Sequence, residues 1–191
     1  MKRRDLLEQF KHSVLVFAFL LSGCATTMQM SSEELKRATP NEGIVVGSIQ
    51  IKGGRDILGR KKWELVAESI KGASLASSLL PLGSDYAIQA SRGEEEEVFV
   101  VRMPAGDYRF WKLYQPGFST ATANTNIQFK VQPGKTIYIG RIVIEFPPGF
   151  ITAFTGFQIR VEDAKASTLD VGRKKYGLSG DDVTTDLMTT R

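Results

Sequence analysis

Ile127-Gln128-Phe129-Lys130-Val131-Gln132-Pro133-Gly134-Lys135-Thr136-Ile137-Tyr138-Ile139-Gly140 is the stretch that decides the fold. Ile127, Phe129 and Val131 fall on one side of an extended chain and Gln128, Lys130 and Gln132 on the other, the period-two signature of a strand with one wet face. Gln132-Pro133-Gly134-Lys135 then sets Pro and Gly where a type II turn needs them, Pro for its fixed φ and Gly for a positive one. The chain therefore turns straight back into a second strand, as a tight hairpin.

That second strand is the longest in the chain. Its apolar set runs Ile137, Ile139 and then Ile142, Ile144 and Phe146, so the phase slips by one residue near Gly140-Arg141. Two readings fit: a β-bulge at the glycine, or a strand buried on both faces. Phe157, Ile159 and Val161 alternate with Gln158, Arg160 and Glu162 in a further half-wet strand. Upstream, Val45, Gly47, Ile49 and Ile51 open the domain, Trp63, Leu65 and Ala67 give another candidate, and Tyr86, Ile88 and Ala90 a weaker one. Val98 to Met103 and Tyr108 to Tyr114 are apolar on both faces, so each is central or has its outer face covered. Short β-rich runs split by Gly and Pro turns predict a mainly β fold, a seven- to eight-stranded antiparallel β-sandwich.

One helix is expected, over Asp163 to Tyr176. Ser167 is its candidate cap, Leu169, Gly172 and Tyr176 share a face, Arg173, Lys174 and Lys175 suit the negative end of the dipole, and Gly177 stops it. The domain then spans residues 43–177, and 178–191 is read as a polar, mobile tail.

Met103-Pro104-Ala105-Gly106-Asp107-Tyr108-Arg109-Phe110, followed by the hairpin Phe129 to Gly140, resembles a motif pair of prealbumin-like (transthyretin-like) β-sandwich modules. Small bacterial lipoproteins are among them. The resemblance covers about Gly43 to Gly177 and implies immunoglobulin-like topology in an accessory, carrier or adhesion domain. The matching positions are turns and core, so it carries over no catalytic residue. Ala73 to Leu82 departs from the pattern.

The N-terminus reads differently. Lys2, Arg3, Arg4 and Lys11 outweigh Asp5 and Glu8, and Val14 to Leu21 is an apolar run of about eight residues, far short of the ~20 that span a bilayer. Leu21-Ser22-Gly23-Cys24 follows directly. The pattern resembles a bacterial lipoprotein export signal, which implies removal of residues 1–23 and lipidation of Cys24. Ala25, where an aspartate often marks inner-membrane retention, points by the same resemblance to the periplasm-facing leaflet of an outer membrane. Several acyl chains suit stable anchoring, since one alone holds weakly. Residues 24–42 are then a tether, polar and small, with Pro40 near its end.

The chain has 25 basic and 21 acidic residues, one histidine and one cysteine. Four of the basic residues, two of the acidic ones and His12 leave with the signal, and the balanced remainder implies no nucleic-acid partner. Without histidine or a free thiol, Ser-His-Asp and Cys-His catalysis, His/Cys zinc sites and internal disulfides are all excluded. Carboxylate chemistry and a Ser-Lys pair remain open, without a readable motif. No cofactor or metal is implied.

Four features stand as candidate surfaces. Phe150, Ile151 and Phe154 lie in the aromatic connection Phe146 to Phe154, which either meets a partner or lipid or folds onto the core. Ala73 to Leu82 is small and apolar. Glu94 to Glu97 reads as a solvated turn that discourages strand pairing. Arg55, Arg60, Lys61, Lys62 and Arg173 to Lys175 are either scattered charge or a contact for anionic polymers. The expectation is a non-catalytic, lipid-anchored envelope protein that offers a sandwich surface to an envelope protein or polymer. The alternatives are a carrier of small hydrophobic ligands or lipids and a carboxylate-dependent glycan enzyme.

Overall fold

The computed structural model describes residues 26–27, 39–55, 62–70, 86–91, 93, 95–115, 121–151, 156–178 and 182–191. Eight strands of five residues or more make up the fold: β2 (Glu42–Arg55), β3 (Lys62–Ser69), β4 (Tyr86–Ser91), β5 (Glu97–Pro104), β6 (Gly106–Gln115), β7 (Ala121–Val131), β8 (Thr136–Ile151) and β9 (Gln158–Glu162). Three short pairings join them, β1 (Thr26–Thr27), β10 (Val183–Thr185) and β11 (Thr189–Thr190), with one helix, α1 (Lys165–Tyr176). The first sheet runs β1-β4-β3-β6-β7-β11. The second runs β10-β8-β2-β5, with β9 also on β8. This is the expected β-sandwich with a C-terminal helix.

The two inner faces carry the period-two residues of the sequence. Trp63, Leu65, Ile88, Phe110, Leu113, Ile127 and Val131 come from the first sheet, and Val45, Ile49, Ile51, Phe99, Val101, Ile137, Ile139, Ile142 and Ile144 from the second. An aromatic series runs through them. Phe110 stacks on Phe129 at 4.8 Å, Phe129 on Tyr108 at 5.6 Å, and Phe99 meets Phe110 edge-on at 6.4 Å. The Tyr108 hydroxyl donates to the Pro104 carbonyl at 2.9 Å and so ties the β5–β6 turn to the core, as a tyrosine corner does in other sandwiches.

Not every pairing is antiparallel: β2 and β8 run parallel, as do β8 and β10, and β1 and β4. Parallel neighbours need a long crossover, and here β3 to β7 supply it by building most of the other sheet between them.

Both readings of the β8 phase slip hold together. The register against β2 passes from Val46↔Tyr138 to Ser48↔Arg141, so β8 carries one extra residue at Ile139-Gly140. Gly140 takes φ 103°, open to glycine at little cost. Tyr138 and Val143, which point away from the inner core, are nonetheless wholly buried.

On this outer face α1 lays Leu169 and Tyr176, with Leu178 just beyond its end, over Val46, Val98 and Val100, and its start meets the Tyr138 hydroxyl. It also explains β5. A strand apolar on both faces occupies a sheet edge because a helix covers its outer side. Gly177 ends α1 at φ 68°, its N–H reaching the Arg173 carbonyl at 3.0 Å. Ser167 is not the cap: it lies inside the first turn and donates to the Ala164 carbonyl at 3.1 Å. The Asp163 carboxylate instead accepts from the Lys165 N–H at 3.1 Å, and the Tyr138 hydroxyl accepts from the Ala164 N–H at 2.7 Å, so the helix begins earlier.

Three further expectations change. β7 and β8 belong to different sheets and do not pair, so Gln132 to Lys135 is a tight turn that crosses between the sheets and not a hairpin. In the segment read as a mobile tail, residues 182–191 are paired, with β10 on β8 and β11 on β7 and Met188 buried in the core between them. The stretch from Phe146, read as a connection, continues β8 to Ile151, paired with β2 at Gly53↔Phe146 and Arg55↔Ile151. Pro147 and Pro148 fit there because β9 no longer pairs with β8 beyond Glu145 and the register against β2 jumps from Gly53↔Phe146 to Arg55↔Ile151, so on neither edge does a ladder bond require their missing N–H.

Candidate functional surfaces

Cys24, residues 1–23, Phe154, Ala73 to Leu82 and Glu94 lie outside the described residues, as do the side chains of Phe150 and Ile151. The backbone at 150 and 151 belongs to the end of β8. At the base of this stretch Phe146 is buried, stacked on Trp63 at 5.1 Å and tilted against Phe157 at 5.9 Å. Phe146 is thus part of the core.

The densest set of buried polar groups lies under the start of α1, and no sequence motif announced it. Ser48 and Thr168 are wholly buried and share a hydrogen bond at 3.1 Å, although 120 positions separate them. Ser48 also donates to the Glu96 carboxylate at 3.4 Å, and Thr168 bonds the Tyr138 hydroxyl. Arg141, on the bulge of β8, ion-pairs with Glu96, reaches Glu162 at 4.0 Å and donates to Ser167 at 2.9 Å. Burial pushes the Tyr138 phenol above its ordinary pKa. The two hydroxyls best placed for chemistry have no access to solvent, so the network positions α1 on the sheet. The available signal was Ser48 itself, one polar residue at an otherwise apolar position of β2.

Glu96 is therefore the member of the acidic run with a structural task, while Glu95 is exposed. Other carboxylates are also held by cations. Glu145 and Glu162 flank Arg160 at 2.8 and 2.7 Å, and this guanidinium holds the Glu145 carboxyl below the usual range. Glu42 is held low first by hydrogen bonds from Thr39 and then by Arg102 at 3.3 Å. Of the basic sets, Lys62 and Arg173 to Lys175 are exposed, with Lys174 paired to Asp170 at 2.7 Å.

On the outer face of the first sheet Lys112 lies 5.5 Å from the Trp111 ring centre and 5.1 Å from that of Tyr114, where β6 bulges. Among the described residues no group of three or more His, Cys, Asp or Glu is gathered as a metal site, and no helix is long and apolar enough to cross a membrane.

Fold and surfaces together define a mostly β, sandwich-like protein with one outer face roofed by a helix. No protein-family model, curated protein or solved structure matches the chain.

Proposed function

We propose that the chain is a non-catalytic, lipid-anchored protein of the bacterial outer membrane, carrying a prealbumin-like sandwich on its periplasmic side and presenting it to another envelope component. One observation carries the reading: a short apolar run behind a basic N-terminus, closed by Leu21-Ser22-Gly23-Cys24, with the only cysteine of the chain at the end. Two structural features support it. The space between the sheets is filled by a continuous set of buried apolar side chains, which suits a domain that works through its surface. The Pro-Ala-Gly-Asp and Gln-Pro-Gly-Lys segments of the prealbumin resemblance join consecutive strands, β5 to β6 and then β7 to β8, and each carries the chain from one sheet to the other.

The anchor is tested by Cys24→Ala. The variant is expected to lose metabolic labelling with fatty acid and to leave the membrane fraction, while the sandwich stays folded. A variant still bound to membranes sinks the reading. Crosslinking in intact cells followed by affinity purification tests the presentation role, which a protein recovered alone every time contradicts.

A further inference from the structure

The structure says which way the sandwich faces, if the lipid anchor just proposed is accepted as its starting point. β1 pairs in parallel with β4, Thr26 opposite Tyr86 and Thr27 opposite Ala87. The chain before Thr26 therefore leaves the first sheet at the end where β4 begins. Cys24 is two residues further on, at most about 7 Å of extended chain. So short a link gives the domain little room to turn away.

The same end has an unusual surface. β3 finishes there, and Ile70, just past it, is one of two large apolar residues exposed among those described, at 39%. Its N–H donates to the Asp107 carbonyl at 2.8 Å, which fixes it beside the β5–β6 turn. Ala105 of that turn and Pro133, Gly134 and Lys135 of the β7–β8 turn are exposed at this end too. Of the acids present, Glu42 is taken up by Thr39 and Arg102, Asp107 is half-buried, and exposed Asp182 comes one residue before the Val183↔Thr136 pair, as Lys135 does on the other strand. An exposed isoleucine and small residues lie at the same end of the sandwich as the point where the chain enters, with Lys135 and Asp182 on its far side.

We infer that this end rests on the headgroup layer of the bilayer, with Ile70 entering it. The other end, with Glu95 and the stretch of β8 from Phe146 to Ile151, then points away from the lipid. Eight residues of β5 at about 3.3 Å each put roughly 25 Å between the two ends. The far end of β8 is thereby turned toward the periplasm and not to the membrane.

The test uses the full lipidated chain in vesicles of phosphatidylethanolamine and phosphatidylglycerol carrying a headgroup nitroxide. Lipidation blocks Cys24, so single Ala105→Cys or Glu95→Cys variants take a fluorophore cleanly. Quenching is expected to be several-fold stronger at position 105 than at position 95. Adding Ile70→Asp is expected to weaken quenching at 105 while the protein still sediments with the vesicles. Equal quenching at both positions, or stronger quenching at 95, overturns the orientation and leaves the anchor standing. Unchanged quenching with Ile70→Asp overturns the isoleucine contact. A Cys24 thiol that reacts with the fluorophore, in a protein that does not sediment, overturns the anchor and this inference with it.

Discussion

Gly140 and Gly134 separate two demands that the same residue type meets. At Gly140 the backbone is at φ 103°, and an added Cβ would lie 3.0 Å from Val161 Cγ1 and 3.2 Å from the Glu162 carbonyl. At Gly134, φ is 65° and nothing lies within 4 Å of that position. Gly134→Ala is therefore expected to cost about 1 kcal/mol, the left-handed strain alone. Gly140→Ala adds a backbone outside the left-handed minimum and a contact with β9, for a loss of about 2–3 kcal/mol. Urea denaturation of both variants checks this, and equal losses would show that the bulge relaxes on substitution. The turn glycine was legible from its Pro-Gly pair. The bulge glycine showed only as a phase slip, with burial on both faces as an equal rival, because periodicity registers an extra residue but not the helix that covers the strand.

Among the elements, those whose side chains alternate were readable and those held by backbone alone were not. β7, β8 and β9 repeat their apolar residues with period two, and their cores lie where that period puts them. β10 and β11 have three and two residues, too few for any period, and the segment is held by main-chain bonds such as Asp186 N–H to the Tyr138 carbonyl at 3.0 Å and Met188 N–H to that of Ile139 at 2.9 Å. Those bonds ignore side-chain identity. Met188 is the exception, 4% exposed and packed between the sheets while its neighbours are polar or exposed. Met188→Ala is expected to lower unfolding free energy by about 2–3 kcal/mol, the lower part of the range for buried truncations. Thermal and urea unfolding measure it, and a change near zero means that the segment detaches in solution. The second bulge, at Trp111-Lys112 of β6 against β3, shifts the buried set from Tyr108 and Phe110 to Leu113, a slip masked in the sequence because Trp111 and Tyr114 make the other face apolar as well.

At the scale of the molecule, the polar network under α1 escaped the sequence because its partners come from β2, β8, the approach to β5 and the helix, and only tertiary folding joins them. The proposed export signal could be read for the opposite reason: it is a local run of residues and its reading needs no fold. Whether the two sheets and the helix act as one unit can be asked of the tyrosines. Tyr86 and Tyr108 lie in the first sheet and Tyr138 in the second beneath the helix, and burial is the main cause raising all three above their ordinary pKa. A phenol whose folded pKa is raised keeps its proton where the unfolded chain, near pH ~10, has lost it. Its stabilisation is therefore complete below about pH 10 and declines as pH rises through the folded value. In an absorbance titration of phenolate, these three are expected to ionise in one step that coincides with loss of the β-sheet circular dichroism. Tyr138→Phe should shrink that step by one tyrosine without splitting it. Two separated steps, one surviving the substitution unchanged, would instead mean that the helix-covered sheet opens before the rest.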